Sequence, residues 1–149
     1  MSEVAVQAST PEEVVSAVIM QLSEGQVEDA TASFAEEFRF KDHGIELEFT
    51  DKGRLTEFFQ KARELYPDYV QQMRSIFVSG EYVITEWILQ LTITEPFYAG
   101  RTRRVPISFA GASIVWIRDG KIADWADYYD GLTSRRTALA AHFEEWGEL

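Results

Sequence analysis

Apolar residues recur at helical spacing through the first third of the chain and at strand spacing through most of the rest. Val14, Val15, Val18, Ile19 and Leu22 form one stripe that stops before Gly25, the mark of a helix with one buried face. Its start is set by Thr10 as N-cap, Pro11 at the first helical position and Glu13 where a capping box places an acid. A short second helix over 27–36 buries Val27, Ala30 and Phe34 and runs into a strand from Phe38 to His43. Gly44 interrupts that strand, and Ile45, Leu47 and Phe49 resume the alternation, which predicts a bent or bulged pair of short strands with Asp42 and His43 at the apex. Thr50 or Asp51 caps a third helix, whose Leu55, Phe58, Phe59, Ala62 and Leu65 face one way and which ends before Pro67.

From there the period changes to two. Segments 69–78, 82–94, 103–117 and 121–129 alternate as strands and are separated by Ser79-Gly80-Glu81, by 95–100 and by Arg118-Asp119-Gly120, so they predict an antiparallel meander. Over 132–146 the helical period returns, with Leu139, His142, Phe143 and Trp146 on one side, and this tail is expected to cover an open end of the sheet. Residues 1–9 have no useful period and are expected to form a loose arm. The order predicts one α+β domain over 10–149, with the helices on one face of a curved antiparallel sheet and a helical extension from about 131. A sheet bent that strongly can wrap into a cone around a pocket.

Composition narrows the partners. With 149 residues, 46% of them hydrophobic, one substantial core can form. A net charge of -11 repels phosphate backbones and anionic lipid, so neither nucleic acid nor membrane surface is an expected partner. There is no cysteine, hence no disulfide or thiolate site. The start MSEVAVQAST lacks a basic segment followed by an apolar run, and no apolar stretch is long enough to span a bilayer; a cytoplasmic location is expected.

The candidate chemistry lies in KIADWADYYD, 121–130. Alternation places Trp125, Asp127 and Tyr129 on one strand face and Ile122, Asp124, Ala126, Tyr128 and Asp130 on the other. A carboxylate between two large rings loses hydration, which raises its pKa toward the range useful for proton transfer. Asp127 is therefore the first catalytic candidate; a structural, hydrogen-bonded Asp is the alternative. His43, on the bent strand, is its candidate partner, because an imidazole titrates near neutral pH. Asp42, beside His43 and Gly44, suits a turn as well as a catalytic role. Trp125, Tyr129, Trp87, Tyr128, Phe59 and Leu89 are the candidate substrate-binding surface. The two histidines, His43 and His142, stand apart without the spacing of a metal site, and no glycine-rich phosphate loop or Rossmann fingerprint is present. Neither metal nor cofactor is expected.

Together, the first helix, FAEEFRFKDHG at 34–44, ARELYPDY at 62–69 and IRDGKIADWADYYD at 117–130 resemble the nuclear transport factor 2-like superfamily, and within it SnoaL-like proteins. The resemblance implies a cone-shaped sheet with the helices on its concave face, and it implies a homodimer. In SnoaL-like polyketide cyclases the acid/base aspartate lies where this chain has Asp127. Limonene epoxide hydrolase-like enzymes add an arginine and a second aspartate on an earlier strand, where this chain has Trp87 and Leu89. Ketosteroid isomerase-like enzymes carry their proton-shuttling aspartate where this chain has Asp42, but their oxyanion tyrosine falls near Val18. The expected function is cofactor-independent acid/base chemistry, as cyclase, isomerase or dehydratase, on a small apolar carbonyl compound. A non-catalytic ligand-binding or dimerisation module needs the same pocket. Self-association is also expected from 103–117, where Val105, Ile107 and Phe109 on one face and Ala110, Ala112, Ile114 and Trp116 on the other are all apolar.

Overall fold

A computed structural model describes residues 9–96 and 98–132. The expected C-terminal helix, with His142, lies outside the described residues, as does nearly all of the N-terminal arm. Helix α1 spans Pro11–Ser23; the Thr10 side chain accepts from the Glu13 N–H at 3.3 Å, and Val14, Val15, Val18 and Ile19 are buried. Helix α3, Lys52–Leu65, is capped by Asp51, whose carboxylate accepts from the Arg54 N–H at 2.9 Å.

The second helix is shorter than its apolar pattern predicts. Helix α2 is Val27–Ala32, and strand β1, Phe34–Asp42, starts at once. The carbonyls at its end are taken by the start of the last strand: the Lys121 ammonium donates to Ala32 O at 3.0 Å and the Ile122 N–H to Ser33 O at 2.9 Å. Phe34 is buried as predicted, but as a strand residue.

Strand β2 is Leu47–Phe49, and the long strands are β3 (Val70–Ser79), β4 (Tyr82–Pro96), β5 (Thr102–Arg118) and β6 (Lys121–Tyr128). They form one six-stranded sheet in the order β2-β1-β6-β5-β4-β3. From β3 to β6 the sheet is the expected antiparallel meander, closed at 118–121 by Asp119 and Gly120, both at positive φ. The β1–β6 pair is parallel, with Asp42 opposite Asp127. The sheet is curved, unclosed and mostly antiparallel.

The inner face divides into two halves. In one, α1, α2, Leu55 of α3 and the ring cluster of Phe34, Phe38, Phe40 and Trp125 pack against Val83, Val115 and Ile117 in a closed core. In the other, Trp87, Leu89, Leu91, Val105 and Ile107 form a second buried cluster that meets Tyr66, Tyr69, Phe109 and Tyr129. Phe58, Phe59, Ala62 and Leu65 of α3 and residues of this second cluster line one cavity.

Candidate active site

This cavity has a volume of about 410 Å³. Its walls are mostly apolar, from Phe58, Phe59, Tyr66, Leu89, Ile107 and Phe109 among others, and its polar groups include Asp127, Asp42, Tyr129, Tyr69 and Gln71. A chain of side chains crosses four strands. Asp42 of β1 faces Asp127 of β6, and Asp127 faces Ser113 of β5. Trp87 of β4 donates its indole N–H to Ser113 Oγ at 2.8 Å.

Ser113 is fully buried, so its hydroxyl must be satisfied from within the protein. Because it accepts from Trp87, its own proton is committed to Asp127 Oδ1, 2.5 Å away. Trp125 donates its indole N–H to the same oxygen at 2.6 Å. Both donors converge on Oδ1, and no described residue donates to Oδ2. Burial pushes the Asp127 carboxyl up to about 7; the bonds from Ser113 and Trp125 oppose the rise, and the charge of Asp42 adds to it.

Asp42 is buried in the same cavity but is held differently. Its Oδ1 accepts from the Gly44 N–H at 3.0 Å and the Ile45 N–H at 3.1 Å, and its Oδ2 accepts from the Tyr129 hydroxyl at 3.1 Å. Burial raises its pKa, while these donors and the charge of His43 lower it. Two glycines make room for the rings around the carboxylates. A Cβ on Gly44 would strike the Tyr129 ring, and one on Gly111, opposite Trp87 in the β4–β5 register, would strike the Trp87 ring.

Asp127, Asp42, Trp87, Tyr129, Phe59 and Leu89 all line the cavity. Trp125 does not; it is 2% exposed in the closed core and acts on the cavity through its bond to Asp127. Tyr128 points to the outer face, in a shallow cleft with Arg39, Trp116 and Asp124. The structure does not bring the His43 ring to Asp127. That ring stacks on Tyr128 with centroids 4.4 Å apart and planes 12° from parallel, and only the His43 backbone N–H reaches the residue, at Asp127 O, 2.9 Å. The physical reason is the strand period, which keeps Phe38, Phe40 and Asp42 inside and turns His43 outward.

Sequence reasoning missed Ser113, Tyr69 and Gln71. Ser113 follows Phe109 and Gly111 on the inward register of its strand, and Gln71 follows Tyr69 in the same way; that periodicity was the available signal. The Tyr69 hydroxyl donates to Gln71 Oε1 at 2.9 Å. Among the described residues no cluster of His, Asp or Glu is placed to hold a metal ion, and no helix is long and apolar enough to cross a membrane.

The profile of the SnoaL-like domain family matches residues 15–125, and the chain belongs to that family. Among solved structures it is similar to a Catenulispora acidiphila protein of ketosteroid isomerase-like fold, solved in complex with trimethylamine. The TM-score is 0.76 at 17% identity, over 88% of this chain and 95% of that one. The candidate polyketide cyclase IdmH of Streptomyces antibioticus gives a TM-score of 0.75 at 17% identity, over 88% of this chain and 99% of that one. An epoxide hydrolase of M. tuberculosis, of the LEH-like type, gives 0.70 at 17% identity, over 90% and 96%. At these identities the likeness is one of fold. Among curated proteins none matches the sequence.

Proposed function

We propose that the protein is a cofactor-independent acid/base enzyme that moves a proton next to a carbonyl in a small, mostly apolar compound, as a cyclase, isomerase or dehydratase does. The observation that carries this reading is Asp127: its pKa is raised to about 7, its Oδ1 is anchored by two donors, no described residue donates to its Oδ2, and it lines a mostly apolar cavity. A base whose proton affinity matches neutral pH gives up and regains its proton at least cost. Asp127 alone serves as acid and base. Trp87, Tyr129, Phe59, Leu89 and Phe109 orient the substrate.

Epoxide hydrolysis by the Asp-Arg-Asp route is disfavoured. Trp87 and Leu89 occupy the positions that its partners would need, and the cavity's Arg63 donates to the backbone carbonyls of Ser23 and Tyr69 at 2.8 and 3.3 Å.

A turnover screen on cyclic ketones, enones and polyketide-like carbonyl compounds tests the reading. Asp127→Asn keeps size and hydrogen-bonding capacity and should cost about 10²–10⁴ in rate. Full turnover by Asp127→Asn removes Asp127 from the mechanism, and a wild type that binds these compounds without converting any of them favours a binding module.

The outer sheet face, where Tyr82, Ile114 and Tyr128 are 51%, 40% and 45% exposed, is proposed to pair with a second copy of the chain. Light scattering at micromolar concentration should give twice the chain mass; monomer alone would refute the pairing.

A further inference from the structure

Proton abstraction next to a carbonyl needs a second group, one that holds the negative charge developing on oxygen. The tyrosines near Asp127 are already committed: Tyr129 donates its hydroxyl to Asp42 and Tyr69 donates to Gln71. Gln71 is different. It is 9% exposed and lines the cavity from β3, directly opposite Leu89. Its backbone is fixed on both sides by Ser23: the Gln71 N–H donates to Ser23 Oγ at 3.0 Å, and that hydroxyl donates to Gln71 O at 3.3 Å. The Tyr69 O–H donates to Oε1 at 2.9 Å and so occupies that end of the amide. Burial and the charges of Asp127 and Asp42 raise the Tyr69 pKa, so this hydroxyl stays a donor. The Nε2 group is left to the cavity, and no described residue accepts from it. Held on a residue that is 9% exposed and lines the cavity, this N–H₂ is free to donate to an acceptor that enters there.

We infer that the Gln71 side-chain amide receives the carbonyl oxygen of the substrate and holds it as the charge develops, while Asp127 Oδ2 takes the proton from the neighbouring carbon. The step balances. The Cα–H bond breaks and its proton passes to Oδ2; the electron pair of that bond becomes a C=C bond; the carbonyl π pair moves onto oxygen, where the Gln71 N–H meets it. Return of the proton from Oδ2 to a different carbon of a conjugated enolate ends an isomerisation; in a cyclisation the carbanion carbon attacks a second carbonyl of the same molecule, the π pair of that carbonyl moves onto its oxygen, and this oxygen takes the proton from Oδ2 and so restores the Asp127 carboxylate. The substrate class is then a neutral enolisable ketone or aldehyde. An anionic substrate is disfavoured, because Asp42 and Asp127 already place negative charge at this end of the cavity. This inference rests on the acid/base reading above and gives it a second residue.

The test uses 2-acetylnaphthalene as probe, with binding read from the melting shift and the carbonyl stretch of the bound ketone read by isotope-edited infrared spectroscopy. In the wild type the stretch should move to lower frequency than in hydrocarbon solvent. Gln71→Met, which keeps the length and loses the donor, should abolish that shift. It should also lower turnover of any active ketone by about 10²–10³. Gln71→Glu, which keeps an acceptor for Tyr69 and loses the donor once it is ionised, guards against a folding defect and, measured at about pH 9, should behave alike. Tyr69→Phe should give a smaller loss of shift, because the amide is then free to turn. Asp127→Asn should keep the shift. A stretch unchanged between wild type and both Gln71 variants overturns the inference and leaves the role of Asp127 standing; so does failure of the wild type to bind the ketone while it turns over other carbonyl compounds. A shift that depends on Gln71, in a protein that never turns over, keeps the carbonyl site and overturns the acid/base reading.

Discussion

Asp42 and Asp127 sit side by side on neighbouring parallel strands, in one cavity, and burial raises the pKa of both. They differ in how their oxygens are used. Asp42 has donors on both oxygens, two backbone N–H groups and the Tyr129 hydroxyl, so it is part of the frame that shapes the 42–45 bend. Among the described residues Asp127 has two side-chain donors, Ser113 and Trp125, both on one oxygen. The contrast teaches that desolvation sets how reluctant a carboxyl is to ionise, while the placement of donors decides whether it has an atom left for chemistry. For Asp127 burial is the first cause of that reluctance, and the charge of Asp42 adds to it.

The two carboxylates should differ most in their effect on rate. In the turnover screen, Asp42→Asn should stay within about tenfold of wild type while Asp127→Asn falls by about 10²–10⁴. Equal losses at both positions would mean that the pair acts as one unit and that the division of roles is wrong.

Stability should separate them in the opposite sense. Asp42→Ala leaves two N–H groups and a hydroxyl without an acceptor and should cost about 1–3 kcal/mol in denaturant unfolding. For Asp127 the folded pKa of about 7 lies above the ordinary carboxyl value of 3.8. Its contribution is therefore fully present below about pH 4 and is lost as pH rises through 7. Asp127→Asn should gain on the wild type across that window, by on the order of a few kcal/mol at its upper end. A stability difference that stays flat from pH 4 to 8 would contradict the raised pKa.

The smallest effect is expected at His43. Its ring lies on Tyr128 at the outer face, so His43→Gln should change stability by less than about 1 kcal/mol and leave the pH-rate profile in place. A tenfold loss of activity, or a displaced acidic limb, would bring His43 back into the chemistry.

Much of this was legible in the chain. The meander, the capped α1 and α3, and Asp127 between Trp125 and Tyr129 all follow from local periods and turn residues. The parallel docking of β1 on β6 was not legible, because it joins segments more than 80 residues apart and no local pattern encodes that register. That one pairing is what sets Asp42 beside Asp127. His43 was misplaced because the strand was carried to His43 and its ring was turned toward Asp127 at the bend; Asp42 is the last residue of β1 and faces inward, and His43 follows on the outward side. Trp125 and Trp87 were legible as large inward rings, but their N–H groups gain meaning only through Ser113, a small residue with no signal of its own beyond its register.

The measurement that bears most directly on Asp127 is its own titration. With ¹³C-labelled aspartate, its carboxyl resonance is assigned by its loss in Asp127→Asn and followed from pH 3 to 9. The midpoint should lie near 7 and should fall in Asp42→Asn, where the neighbouring charge is removed. A midpoint near 4, unmoved by Asp42→Asn, would contradict the account.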